Sequence, residues 1–206
     1  MISLTGMLFN GACTVLGLFY AMFALFNLFG DSGALGSFGA KFIFEMDEVM
    51  GALIGIPKYY SKMEAVILFG ASFCLFSSLF GEIVHVCMGL VVVIGYMITC
   101  SVYAYCLKLP VIVFAGMGLF SALLLVPALL KIPSDKEETG QILILQVALG
   151  TTAFVLATSL SMLARAPARA GFHKRYRQIV EYCDSHPDFV WIAGKSAPEG
   201  FESKDK

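Results

Sequence analysis

Side chains able to do chemistry are sparse in the apolar parts of this chain, and Glu64, Glu82 and His85 are the three that can plausibly carry a charge in the 45 residues from Met63 to Leu107. His85 stands one turn inside an apolar run, where an imidazole can ligate chlorophyll or a haem iron. It is the candidate cofactor-binding residue, and the plainer reading is a hydrogen-bonded helix histidine. A haem with two axial histidines needs a second buried imidazole, but His173 and His186 fall in the polar C-terminal region, which argues against bis-histidine ligation by this chain alone. Glu64 and Glu82 sit at opposite ends of one helical stretch and cannot act as an acid/base pair. Each is expected at a membrane interface, solvated there, with a proton relay as the functional alternative.

The other reactive types point the same way. Of Cys13, Cys74, Cys87, Cys100, Cys106 and Cys183, five lie inside apolar runs and none forms a C-x-x-C pair. They read as small packing residues rather than a disulfide framework or a metal site. No Ser-His-Asp set, glycine-rich phosphate loop or zinc spacing occurs. No catalytic residue and no metal ligand is therefore assigned, and the chain is not expected to be an enzyme.

The elements that carry these residues follow from composition. Hydrophobic residues are 58% of the chain, charged residues 14%, and the mean hydropathy is +0.81. A soluble domain has roughly 45–50% apolar and 25% charged residues. This is the composition of a polytopic membrane protein, and a net charge of -1 leaves no basic face for nucleic acid.

As one helix, Met63 to Leu107 would be roughly 67 Å long, against a bilayer core of about 30 Å. The stretch must reverse, and Gly81-Glu82 is where a flexible residue and a charge coincide. Five spans result, at about 7–29, 65–80, 83–107, 109–130 and 142–164, giving a bundle over 1–164. Nothing basic precedes the first span, so a cleavable leader is not expected, and Met1 is placed close to the mature start unless the chain is already processed. Small residues repeat every four positions in Cys13/Gly17/Ala21, Gly70/Cys74/Ser78, Gly118/Ala122 and Ala153/Ala157/Ser161. Such stripes let helices approach closely in lipid. Pro110 suits the first turn of the fourth span.

Between the first two spans, Ser37 can cap an amphipathic helix over about 37–56. Phe38, Phe42, Met46, Val49, Met50 and Leu53 share one face, and Lys41, Glu45 and Glu48 the other. The pattern fits a helix lying in the interface or contacting a neighbouring protein. The tail, 165–206, is soluble, with Phe172, Tyr176, Ile179 and Cys183 at helical spacing and an apolar Phe189-Val190-Trp191 cluster. A tail of this size cannot bury a core alone, so it is expected to lie along another subunit or on the interfacial helix.

Arg165, Arg169, Lys174, Arg175 and Arg177 follow the fifth span directly and belong on the cytoplasmic, matrix or stromal side. Alternating back puts Lys41, Lys58, Lys62 and Lys108 with them and Lys131 and Lys136 opposite, and that tally of nine against two supports an odd number of crossings.

The first span ending in 19–28, the amphipathic connector, the glutamate of Met63-Glu64-Ala65 with Gly70-Ala71 behind it, and the tight hairpin together resemble the DoxX-like family of small four-helix membrane proteins. The resemblance covers about residues 15–130. Ala24 and Asn27 stand where that family often has glycine and lysine, and the fifth span and tail lie outside its pattern. It implies a helical bundle and either a quinone-linked redox partnership or an assembly role.

The whole chain thus reads as an all-α polytopic helical bundle with about five transmembrane helices, one interfacial amphipathic helix and a soluble C-terminal tail. The function expected first is that of a non-catalytic accessory subunit in a large energy-transducing membrane complex, respiratory or photosynthetic. Its partners would be other membrane subunits and lipids, in an organelle inner membrane, mitochondrial or thylakoid. No cofactor is intrinsic to this reading, although lipid, quinone or chlorophyll could be bound. A transporter would show polar residues or broken helices at mid-membrane depth. An independently acting DoxX-like protein is the alternative.

Overall fold

A computed structural model describes residues 4–29, 50–54, 60–107, 110–132, 137–165, 181 and 185. Among these the chain is helical throughout, with no strand. Five long helices carry it: α1 (Leu4–Phe29), α2 (Tyr60–Phe76, continued by a 3-10 turn over Ser77–Phe80), α3 (Ile83–Leu107), α4 (Val111–Leu129) and α5 (Glu137–Arg165). All five are long and apolar enough to cross a membrane. The shortest, α4, has 19 residues and so spans about 28 Å. Lipid offers the backbone no hydrogen-bond partners, and the helix satisfies its own.

The interfacial helix expected over 37–56 lies outside the described residues except for Met50 and the helical turn Gly51–Ile54. The tail likewise falls outside them apart from Arg165, Glu181 and Ser185, the last donating from Oγ to the Glu181 carbonyl at 2.9 Å.

Several helix ends differ from the sequence expectation. Helix α2 begins at Tyr60 rather than near 65, because Lys62 and Glu64 find partners on α1 and do not have to stop the helix to reach water. Helix α5 begins at Glu137, five residues before the apolar run; Glu138 in its first turn and Arg165 in its last both complement the helix dipole. Pro110 is the N-cap of α4, with φ -63° and ψ 104°, one position ahead of the first turn.

The chain divides into two compact units, Met1–Ala24 with Val66–Ala164, and Leu25–Ala65 with Arg165–Lys206. The first is organised around α3. Cys87, Leu90, Val93 and Ala104 are buried on one side of it and Val84, Thr99 and Cys106 on the other. A helix apolar on all sides belongs inside.

Glycines set how closely its neighbours come. A Cβ on Gly89 would lie 2.9 Å from Cys74 Cβ and 3.0 Å from the Ala71 carbonyl, so α2 crosses α3 there almost backbone to backbone. A Cβ on Gly95 would collide with Thr151 of α5. Gly118 of α4 faces Met97, and Gly140 of α5 faces Val84. On α1, Gly17 admits the Phe76 ring, and the Tyr20 ring meets Tyr96 edge-on at 6.3 Å.

The reversal between α2 and α3 is made by Gly81, whose φ of +75° is left-handed. Its N–H donates to the Ser78 carbonyl at 3.3 Å, and the Glu82 N–H to the Ser77 carbonyl at 3.1 Å, closing the last turn before α3 begins.

Candidate functional site

The second unit holds a buried polar junction between the last turn of α1 and the first turn of α2. Asn27 and Glu64 are 0% and 1% exposed, and Asn27 Nδ2 donates to Glu64 Oε2 at 2.9 Å. Lys62 reaches from the same turn of α2 and donates from Nζ to the Leu28 carbonyl at 2.7 Å and the Asn27 carbonyl at 3.2 Å. Those carbonyls end α1, where no further helical N–H is available to them, and an ammonium there also meets the negative end of the helix dipole. Tyr60, Ser61 and Met50 are buried in the same unit.

Glu64 is therefore not the solvated interfacial residue expected from its sequence position. A buried carboxylate is costly unless hydrogen-bonded, and the Asn27 amide supplies such a bond. Asn27 itself escapes sequence reading because it is one amide near the end of an uncharged run. A polar residue in such a run is the signal that could have found it. Its Oδ1 is buried and has no hydrogen-bond partner.

His85 and Glu82 lie in the first unit. His85 is in the first turn of α3, with its side chain 53% exposed and Nδ1 4.0 Å from Glu82 Oε2. The two are i, i+3 neighbours at the end of the helix rather than in its interior. Glu64 belongs to the second unit.

The cysteines within the described residues, Cys13, Cys74, Cys87, Cys100 and Cys106, are free thiols. Among the described residues no three His, Cys, Asp or Glu side chains gather as a metal site. Tyr20, which sequence reading passed over, is buried with its hydroxyl lacking a hydrogen-bond partner.

Two hollows are lined by described residues of the first unit. A groove of about 680 Å³ runs between α3 and α4, lined by Met97, Ser101, Tyr105, Phe114, Gly118 and Leu163 among others. It is almost wholly apolar, since the Ser101 hydroxyl turns back to the Met97 carbonyl at 2.8 Å. A smaller and more polar cavity of about 230 Å³ lies at the end where α1 begins, lined by Phe9, Asn10, Ser78, Gly81, Ile83 and Lys131.

Five long apolar helices and charge confined to their ends define a polytopic helical integral membrane protein. Comparison with family models, with curated proteins and with solved structures gives no match.

Proposed function

We propose that the chain is a non-catalytic accessory subunit of a large energy-transducing membrane complex, respiratory or photosynthetic, which it stabilises by helix packing and by docking of its C-terminal tail. The observation that carries this reading is the outward face of α5. Gln146, Gly150, Ala153 and Ala157 follow one another at spacings of four, three and four, so they share a face, and all four are exposed. Gly150 has nothing within 4 Å of where a Cβ would stand.

Helix packing in lipid relies on small residues that let backbones approach and on polar side chains that bond across the contact. Among the described residues α5 does not use that face. Its inward residues are Gly140, Ile144, Thr151, Val155, Thr158 and Met162. Gln146 lies ten residues into a 29-residue span, where an exposed amide facing hydrocarbon is costly without a partner. A second transmembrane helix offering a hydroxyl, amide or carbonyl fits both features.

In this reading the protein resides in an organelle inner membrane, mitochondrial or thylakoid, with the basic C-terminal segment on the matrix or stromal side. The partners are other membrane subunits and lipids. Quinone or chlorophyll are the candidate bound molecules, with His85 as the imidazole a pigment could use. An absorption spectrum of the native material, compared between wild type and His85→Ala, tests that ligand.

The decisive measurement is the mass of the native particle after mild detergent extraction. The subunit should migrate in a particle many times its own mass, and Gly150→Leu combined with Ala157→Leu should release it. Migration of the wild type as a free monomer or small homo-oligomer removes the proposal.

A second reading, an independently acting DoxX-like redox partner or assembly factor, is favoured by the Asn27–Glu64 bond. Glu64 carries that resemblance, and Asn27 occupies the position where the family often has lysine. Under this reading Glu64→Gln impairs quinone-linked activity of the partner while leaving particle mass unchanged.

A further inference from the structure

The groove between α3 and α4 covers one half of the span. On α3 its lining runs from Tyr105, at the end of the apolar stretch, to Ile94, beside the midpoint of this 25-residue helix. On α4 it runs from Phe114, in the first turn, to Ala122. At 1.5 Å per residue these lengths are about 16 Å and about 12 Å. One leaflet supplies half of a hydrocarbon core of about 30 Å. The hollow therefore opens at one interface and stops near the bilayer midplane.

Its width decides between the occupants a membrane offers. Ala115, Gly118 and Ala122 leave side-chain volume missing along α4, and Met97 lies 3.2 Å from where a Gly118 Cβ would stand, so the two helices stay close behind the gap. Spread over its length, the volume of about 680 Å³ makes a channel about 7–8 Å across, whereas a helix with its side chains needs about 10–12 Å. The hollow is too narrow for a neighbouring helix and wide enough for a hydrocarbon chain, which would gain close contacts along both walls.

The polar groups of the lining narrow the choice further. Ser101 is the hydroxyl within the span, and it donates to the Met97 carbonyl at 2.8 Å. A quinone ring or a chlorophyll needs a donor or a ligand at depth, and His85 stands in the first turn of α3, at the opposite end from the mouth. At the mouth, Tyr105 is 66% exposed, so its hydroxyl is accessible. An interfacial tyrosine offers an apolar ring to a hydrocarbon tail and an O–H donor to the polar group above it. We propose that this groove holds one acyl chain of a bilayer glycerolipid, whose ester carbonyl accepts from Tyr105 Oη. The site needs no other subunit and does not rest on the accessory-subunit reading.

The test reconstitutes the full chain in phosphatidylcholine vesicles with a trace of phosphatidylcholine bearing a diazirine on one acyl chain. After mild detergent extraction and washing, irradiation fixes retained lipid, and mass spectrometry counts and maps the adducts. One lipid should remain per chain. A diazirine near the ester should label around Tyr105 and Phe114, and one near the terminal methyl around Ile94 and Ala122. Ala115→Leu combined with Ala122→Leu fills the groove and should weaken retention about tenfold, whereas Gly116→Leu, outside the lining, should not, with thermal unfolding confirming that each variant is folded. Tyr105→Phe should weaken retention of the ester lipid about threefold and leave that of its ether-linked counterpart unchanged. Adducts as dense on the exposed faces of α1 and α5 as in the groove, complete loss of lipid on washing, undiminished retention by the folded double variant, or displacement by a short-chain quinone at equal concentration would each overturn the proposal.

Discussion

The amide of Asn27 donates to the carboxylate of Glu64 across 2.9 Å, joining side chains 37 positions apart at a fully buried junction. A glutamate expected at the membrane interface and an amide in an uncharged run together form the bond that fastens the end of α1 to the start of α2. Lys62, donating to the α1 carbonyls beside it, makes the same connection from the backbone side.

Removing one partner of that bond should cost more than exchanging it. Glu64→Ala leaves a buried amide without its acceptor and should destabilise the chain by about 1–3 kcal/mol. Glu64→Gln keeps an oxygen for Asn27 and should lose clearly less. Thermal unfolding in detergent distinguishes them, and identical midpoints for the two variants would show that the bond contributes nothing.

Glycine substitutions should separate the inward from the outward faces. Gly89→Val and Gly95→Val drive a side chain into Ala71 and Cys74 or into Thr151, which overpacking places at about 1–3 kcal/mol of lost stability. Gly116→Val and Gly150→Val meet nothing within 4 Å, and in the isolated chain they should stay within about 0.5 kcal/mol of wild type. A Gly95→Val protein melting with the wild type would contradict the packing of α5 on α3.

The hairpin turn gives a backbone prediction. Gly81 has φ +75°, and a β-branched residue forced into that region costs about 1–2 kcal/mol. Gly81→Val should therefore lower the melting temperature more than Gly81→Asn, because asparagine tolerates the left-handed region. The reverse order would place the reversal elsewhere.

Five crossings, one for each long apolar helix, would put the two ends of the chain on opposite sides of the membrane. With a short epitope on each end and sealed, oriented vesicles, an impermeant protease should reach one epitope before permeabilisation and the other after it. Simultaneous access would rule out an odd number of spans.

Much of the architecture can be read from residue order. Uncharged runs long enough to cross lipid, interrupted at Gly81-Glu82, Pro110 and the polar segment 133–140, suffice to count the helices. The reason is physical: a backbone in hydrocarbon must bond to itself, so each long apolar run is a helix and each charge or glycine break is an end. The breaks misled where a charge found a protein partner in place of water, as Lys62 and Glu64 do, and α2 begins at Tyr60 for that reason.

Which side of each helix turns inward could be settled only by packing. In a soluble protein the polar face marks the outside, but in lipid both faces are apolar and periodicity loses its meaning. Ala153 and Ala157 form a close-packing stripe in sequence, and tertiary structure turns that stripe outward while Thr151 and Val155 meet Gly95. Asn27 is one amide in an uncharged run until the fold brings Glu64 to it. Ser78 is one of many helix hydroxyls until the tightened turn before Gly81 leaves its Oγ buried without a hydrogen-bond partner.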